Sequence, residues 1–324
     1  MKPPILLAVP NVSEGRDEAT IAAVGAAFSS ARSPDEPGAR LLDVHSDADH
    51  HRSVFTLAAP AQTLADALLA GAAAAVEHVD VMSRLGADSS QHGAHPYVGA
   101  VDVVPVVYVQ ESARGDACAE ALTVADRIGD ELEIPVFLYG ELTQELEADG
   151  TGEAVRGRTR AELRRGGVAG LMERMAQRAT GTARQGPLHP DFGPPRMHRT
   201  AGATLVAARP PLVAFNVQLA AGATLADARA ISARIREGGE DGLPGVRAMA
   251  VALGGGVMQV SMNVERPFEL SLGEVVAAVA AQARVQSAEL VGLAPALAMD
   301  GFPEDVPLIG YDPARQVMEN ALGS

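Results

Sequence analysis

Six of the eight histidines in this chain fall within its first hundred residues: His45, His50, His51, His78, His92 and His95. They gather in two stretches, DVHSDADHHRSV (Asp43–Val54) and SSQHGAHPYVGAVDVVP (Ser89–Pro105). Imidazole and carboxylate are ligands of Zn2+, so His50, His51, Asp47, Asp49, His92 and His95 must first be weighed as a metal site. Neither stretch has the i, i+4 spacing of HExxH, and adjacent histidines on an extended segment point apart. The pattern therefore predicts no metal. Proton transfer fits it better. In Gly93-Ala94-His95-Pro96 the imidazole of His95 sits on a tight turn whose direction Pro96 fixes. Histidine titrates near neutral pH, as a general acid–base group requires. Spacing alone leaves open that these are solvated loop histidines.

Other chemistries find less support. Cys118, the single cysteine, excludes a disulfide framework. It lies in the amphipathic stretch DACAEALTVADRI, which predicts a buried thiol rather than a nucleophile. No GxSxG is present, and Gly254–Gly256 fits a hairpin better than a phosphate loop. The run RGRTRAELRR (Arg156–Arg165) is interrupted by Glu162 and reads as a solvated helix face.

Elements that would position these residues can be read from the periodicity. Strands are predicted at Ile5–Val9, Leu41–His45, Arg52–Ala59, Val98–Val109 and Pro135–Tyr139. Helices are predicted at Asp17–Ser29, from Pro60 to near His78, and at Asp116–Leu132. The order βαββαβ, followed by αβ, packs economically as two helices on one face of an antiparallel sheet. Thr180–Arg199 is rich in Gly, Pro and Arg and reads as a linker. Beyond it come strands at Ala203–Ala208 and Leu212–Leu219 and a helix Leu225–Arg236 with Thr224 as N-cap. A hairpin joins Val246–Leu253 to Val257–Asn263. A helix capped by Ser271 and Glu274 runs to about Val285, and Leu290–Leu293 forms a last strand. The expected fold is α/β (α+β): two tandem ferredoxin-like sandwiches whose open sheet faces pack together. The expected divisions are 1–179, a linker at 180–199, and 200–324.

Bulk properties narrow the partners. With 324 residues and 47% hydrophobic content, a sizeable core is available, built mostly of Ala, Val and Leu since Trp is absent. The net charge of −15 opposes binding to nucleic acid or anionic membranes, which proteins grip through clustered Lys and Arg. An anionic small molecule would need a local positive pocket. The opening MKPPILLAVPNVSEGRDE has too short an apolar run for a signal peptide or membrane span, so the cytoplasm is expected.

At the histidine loops the sequence resembles the glutamate formimidoyltransferases, including the formiminotransferase part of formiminotransferase–cyclodeaminase. The stretches that carry the likeness are VPNVSEGRD (Val9–Asp17), LLDVHSDADHHRSVFT (Leu41–Thr56) and HGAHPYVGAVDVVP (His92–Pro105). PVFLYGE (Pro135–Glu141), HPDFGP (His189–Pro194), GATLVAARPPLVAFNVQL (Gly202–Leu219) and ELVGLAP (Glu289–Pro295) follow in the family's order. The resemblance implies a transferase with substrates held between two α/β subdomains, with tetrahydrofolate as co-substrate, no metal, and a homodimer. It implies His95 as the catalytic acid–base. A folate-binding stretch is implied at Gly193, Pro194, Pro195, Arg196, Met197, His198, Arg199, Thr200, Ala201 and Gly202. No cyclodeaminase region is expected. Some positions depart from the family's pattern: Ala94 and Tyr97 replace an acid and an arginine, His45 an aspartate, and His51 an asparagine. Met197 and Ala201 stand where the animal enzymes carry aromatics.

On this resemblance N5 of tetrahydrofolate attacks the formimino carbon of N-formimino-L-glutamate while His95 relays the proton. Arg52 is the candidate for a substrate carboxylate, or else an exposed arginine at a strand end. His45, Asp49, His51 and Tyr97 would line the same pocket. Formyl transfer from 5-formyltetrahydrofolate to glutamate, and a folate-binding homologue without turnover, are the alternatives.

Overall fold

Pro10 splits the first strand. Having no N–H to give a ladder, it separates Ile5–Ala8 (β1) from Asn11–Val12 (β2). Both segments pair antiparallel with Arg52–Pro60 (β4) on one side and Val101–Val107 (β5) on the other. Arg40–Asp47 (β3) pairs with the far edge of β4. Helices Glu18–Phe28 (α1) and Leu64–His78 (α2) complete a βαββαβ unit with the ferredoxin-like strand order β3-β4-β1/β2-β5. The structure, a computed structural model, describes residues 3–30, 38–86, 93, 95–143, 157–177 and 188–323.

The sheet does not stop at β5. Val136–Leu138 (β6) follows the helix Arg114–Glu131 (α3), and Thr204–Arg209 (β7) lies parallel between β5 and β6. The sheet is therefore mixed rather than antiparallel. One face carries α1, α2 and α3 over a core of Phe28, Phe55, Leu57, Leu68, Val124 and Ile128. Phe28 and Phe55 are in tilted ring contact with centroids 5.2 Å apart. The other face, expected bare, is covered at its parallel end. There Arg160–Leu163 (α4) and Gly167–Ala176 (α5) bury Leu163 and Leu171 against Phe137, Leu205 and Ala207.

This first unit extends to Pro210 and the second begins at Pro211. The division falls later than the expected 199/200 because β7 pairs into the first sheet. Residues 188–199, expected as linker, are also tied to that sheet: Phe192 bridges Val136, and the Asp191 carboxylate accepts the Leu138 N–H at 2.7 Å. Residues 180–187 lie outside the described residues.

The second unit repeats the pattern. Val213–Leu219 (β8), Leu225–Ile235 (α6), Val246–Ala252 (β9), Met258–Val264 (β10), Leu272–Ala280 (α7) and Val285–Val291 (β11) give the order β11-β8-β10-β9, with the short Leu308–Ile309 (β12) on the β11 edge. Thr224 and Ser271 each form a capping box, with Asp227 and Glu274, so the helix starts fall where side chains satisfy the free N–H groups. Gly255 and Gly256 adopt the positive φ of the β9–β10 turn. α7 ends at Ala280 rather than near Val285. Val285 instead opens β11, which pairs with β8, so sheet pairing overrides the helical periodicity there.

Candidate active site

Three loops of the first unit converge at the β2–β4–β5 edge. Asn11, Val12 and Ser13 come from β2 and its exit, His50 and His51 from the β3–β4 turn with Arg52 opening β4, and His95 and Tyr97 from the approach to β5 with Asp102 inside it; together they line one small cavity. Close backbone approach holds the loops together. A Cβ at Gly15 would stand 2.3 Å from the Asp47 carbonyl oxygen, and one at Gly93 2.4 Å from that of His50. Gly93 also has φ +70°, which L side chains rarely adopt. Ser13 Oγ donates to the Gly99 carbonyl at 2.6 Å, and Ser53 Oγ to that of Glu14 at 2.6 Å.

His95 is half-buried, with Nδ1 2.8 Å from the Pro96 carbonyl oxygen. That oxygen can only accept, so Nδ1 carries the ring proton and Nε2 is the basic atom. Burial holds the imidazole well below its ordinary value of 6.5, and Arg52 and Arg164 push it the same way. The ring is therefore neutral near pH 7, as a base must be. His50 packs beside it with ring centroids 6.0 Å apart. The His50 Nε2 lies 3.9 Å from Asp47, whose other oxygen accepts the His50 backbone N–H at 2.8 Å.

His51 is buried and holds a left-handed φ of +50°. Burial, with Arg84 and Arg16 against Glu14, lowers it to about 4. The neutral ring accepts the Gly15 N–H at Nδ1, 3.2 Å away. Glu14 beside it is an anion held in a backbone cradle. Burial works against its charge, but the N–H groups of Arg16 and Asp17, then His51 and Arg84, outweigh that and keep it below the usual value. Arg84 links the same carboxylate at 3.3 Å to the Ser13 carbonyl at 2.8 Å. Tyr97 is half-buried; burial raises its phenol, opposed by its contact with Arg84.

Arg52 opens β4 opposite Asp47 of β3. Among the described residues its guanidinium makes no hydrogen bond or ion pair. Burial lowers it to about 10, reinforced by Arg164 and Arg160 and opposed by Asp102 and Asp47. Arg164 follows α4 directly and is 7% exposed, so the solvated helix face expected for that run is corrected. Leu163 and the Arg164–Asp102 ion pair draw the segment inward. Asp102 Oδ1 also accepts the Val98 N–H at 2.8 Å.

The cavity thus gathers His51, Arg52, His95 and Tyr97. His45 lies on the same face of β3 as Asp47 by strand alternation, but outside the cavity lining. Asp49 is exposed in the turn. His92 and Ala94 lie outside the described residues. Of the stretch Gly193–Gly202, Gly193, Pro195, Arg196 and Arg199 are exposed, while Ala201 and Gly202 are buried. His198 Nδ1 accepts the Ala201 N–H at 3.0 Å, and Gly202 bridges Gly99 of the His95 loop. Met197 packs into the core. Among the described residues no three His, Cys, Asp or Glu side chains are grouped to hold a metal ion.

Sequence reasoning missed Asp102, Arg164, Glu14 and Arg84. Asp102 carried a signal, since a lone acid inside the apolar run VDVVPVV needs a buried partner.

Residues 5–209 match the formiminotransferase domain, N-terminal subdomain, nearly the extent of the first unit. A glutamate formimidoyltransferase of Streptococcus pyogenes serotype M1 is 33% identical over 325 residues, 98% of each chain. The chain belongs to the formiminotransferase family. A glutamate formimidoyltransferase of Thermoplasma acidophilum is 30% identical over 79% of this chain and 75% of its own. The formimidoyltransferase-cyclodeaminase of Gallus gallus is 31% identical over 90% of this chain but only 50% of its own length. This formiminotransferase chain therefore spans about half of that bifunctional relative. No helix among its described residues is long and apolar enough to cross a membrane.

Proposed function

We propose that the chain is a glutamate formimidoyltransferase, moving the formimino group of N-formimino-L-glutamate to N5 of tetrahydrofolate. The observation that carries the reading is a neutral His95, its Nδ1 committed to Pro96, beside the unpaired guanidinium of Arg52. The first is a base at neutral pH and the second a carboxylate receptor. The relatives named glutamate formimidoyltransferase support the formimidoyl-glutamate donor, and tetrahydrofolate as acceptor is part of the proposal.

Tetrahydrofolate, when bound, supplies the nucleophilic amine. His95 Nε2 takes the proton of that amine as the new C–N bond forms. It then returns a proton to the glutamate nitrogen as the old C–N bond breaks, so the residue ends neutral. Arg52 holds a carboxylate of the donor and fixes the carbon within reach of the nucleophile, the proximity contribution to the rate. The neutral His51 ring, locked by Gly15, and Tyr97 shape the wall, and His45 and Asp49 border it. Exposed Arg196 and Arg199 in the Gly193–Gly202 stretch offer cations to folate carboxylates, and the Gly202–Gly99 bridge ties that stretch to the His95 loop. A homodimer is part of the same reading, tested by light scattering.

The test is turnover of N-formimino-L-glutamate with tetrahydrofolate by the purified protein without added metal. His95→Ala should lower kcat by ~10²–10⁴-fold, the usual contribution of a positioned imidazole. Full activity in that variant would remove His95 from the chemistry.

A further inference from the structure

The end of α4 brings a second guanidinium to the site. Arg164 pairs one terminal nitrogen with Asp102, while its Nε is buried with no hydrogen-bond partner among the described residues. Arg52 likewise lacks an acceptor among the described residues. The charged groups acting on Arg52 are Arg164 and Arg160 as like charges, with Asp102 and Asp47 as opposite ones. Those acting on His95 are Arg52 and Arg164, with His50 beside it. Asp102 is committed to Arg164 and acts on Arg52 only through space, and Asp47 already takes the His50 N–H. Arg164 is buried and Arg52 half-buried, and withdrawing two cations from water around one carboxylate is unfavourable unless another anion completes the set.

Arg164 is also held deliberately in place. Thr159 and Glu162 cap the helix that delivers it. Arg174 spans the turn, donating to the carbonyls of Glu162 at 2.7 Å and Leu163 at 2.5 Å. Gly166 and Gly167, both at positive φ, then turn the chain away.

We propose that Arg52 and Arg164, with Asp102 orienting the latter, form a two-arginine receptor for a carboxylate group of the substrate. The identity of that carboxylate as the donor's glutamyl group rests on the transferase reading; the chemistry of the receptor does not. Two planar guanidiniums suit the two oxygens of one carboxylate. An anion seated between them cancels the positive field that lowers His95, so the base strengthens when its substrate is present.

The test uses glutarate, a dicarboxylate with no group to transfer, on the full chain. Calorimetry measures its binding to the wild type, Arg164→Lys, Arg164→Met and, as a control remote in sequence, Arg234→Gln in the second unit. NMR follows the His95 ring through a pH titration with and without glutarate. We expect Arg164→Met to weaken binding ~10–100-fold, the usual size of a charge-assisted contact, Arg164→Lys less, and Arg234→Gln not at all. We expect glutarate to raise the His95 titration midpoint in the wild type, a readout that stands even where a variant fails to fold. Unchanged binding in folded Arg164 variants, no binding to the wild type, or a His95 midpoint indifferent to glutarate would each overturn the proposal. Turnover of formimino-glutamate alongside any of those results leaves the transferase reading standing. Glutarate binding through Arg164 without turnover keeps the receptor and removes the transferase.

Discussion

Neutral imidazoles set the acid limit of this protein. A His95 held low stays a competent base well below the ordinary histidine range, so kcat/KM of the free enzyme should be flat near pH 6.5 and fall only at lower pH. A fall centred at 6.5 or above would contradict that environment. Stability follows His51 with a definite sign. Its folded value is about 4 and its ordinary value 6.5, so between these the unfolded chain binds a proton the folded one refuses. The contribution is fully present above 6.5 and is lost as pH falls towards about 4. His51→Asn keeps an acceptor for Gly15 and tolerates the +50° φ. Its melting temperature should therefore drop less steeply across that window than the wild type's. His95 and Arg52 drew notice in the sequence because turn residues and a strand end bracket them; both line the cavity, and their roles are part of the proposal. Arg164 was not, since an arginine-rich run gives no sign that Asp102, 62 residues away, will bury one member of it.

At the scale of elements, local signals were legible and pairings were not. Thr224 and Ser271 announce their helices because the cap lies within three residues of its partner. Ser271→Ala should cost about 1 kcal/mol, measured by denaturant melting, with the loss confined to α7 and its neighbours. The parallel strand β7 was placed in the wrong half because its partners, β5 and β6, are far away in sequence. The same holds for Val285, whose strand depends on β8. Arg174 offers a test of the α4–α5 turn. Arg174→Ala removes the guanidinium contacts to the carbonyls of Glu162 and Leu163, and should raise KM for the donor several-fold more than it lowers kcat, since it acts by loosening Arg164. A kcat loss with KM unchanged would argue against that route.

Over the whole molecule, the doubled ferredoxin-like order was visible as a repeated βαββαβ, while the extension of the first sheet was not. Each unit has its own core, from Leu6 to Ala208 in one and Val213 to Ala298 in the other. Residues 211–324 alone should therefore melt cooperatively; a featureless melt would show that this core is insufficient. The net charge of −15 opposes an anionic substrate at long range, whereas the guanidiniums of half-buried Arg52 and buried Arg164 act at contact, where salt screens little. Raising salt from about 10 mM to about 150 mM should accordingly raise kcat/KM modestly. Everything proposed for the site turns on a neutral His95 serving formimino transfer. It is tested most directly by turnover of N-formimino-L-glutamate with tetrahydrofolate, wild type beside His95→Ala. Turnover is expected in the first and a loss of ~10²–10⁴-fold in the second. Equal rates in the two proteins, or none in the wild type, would contradict it.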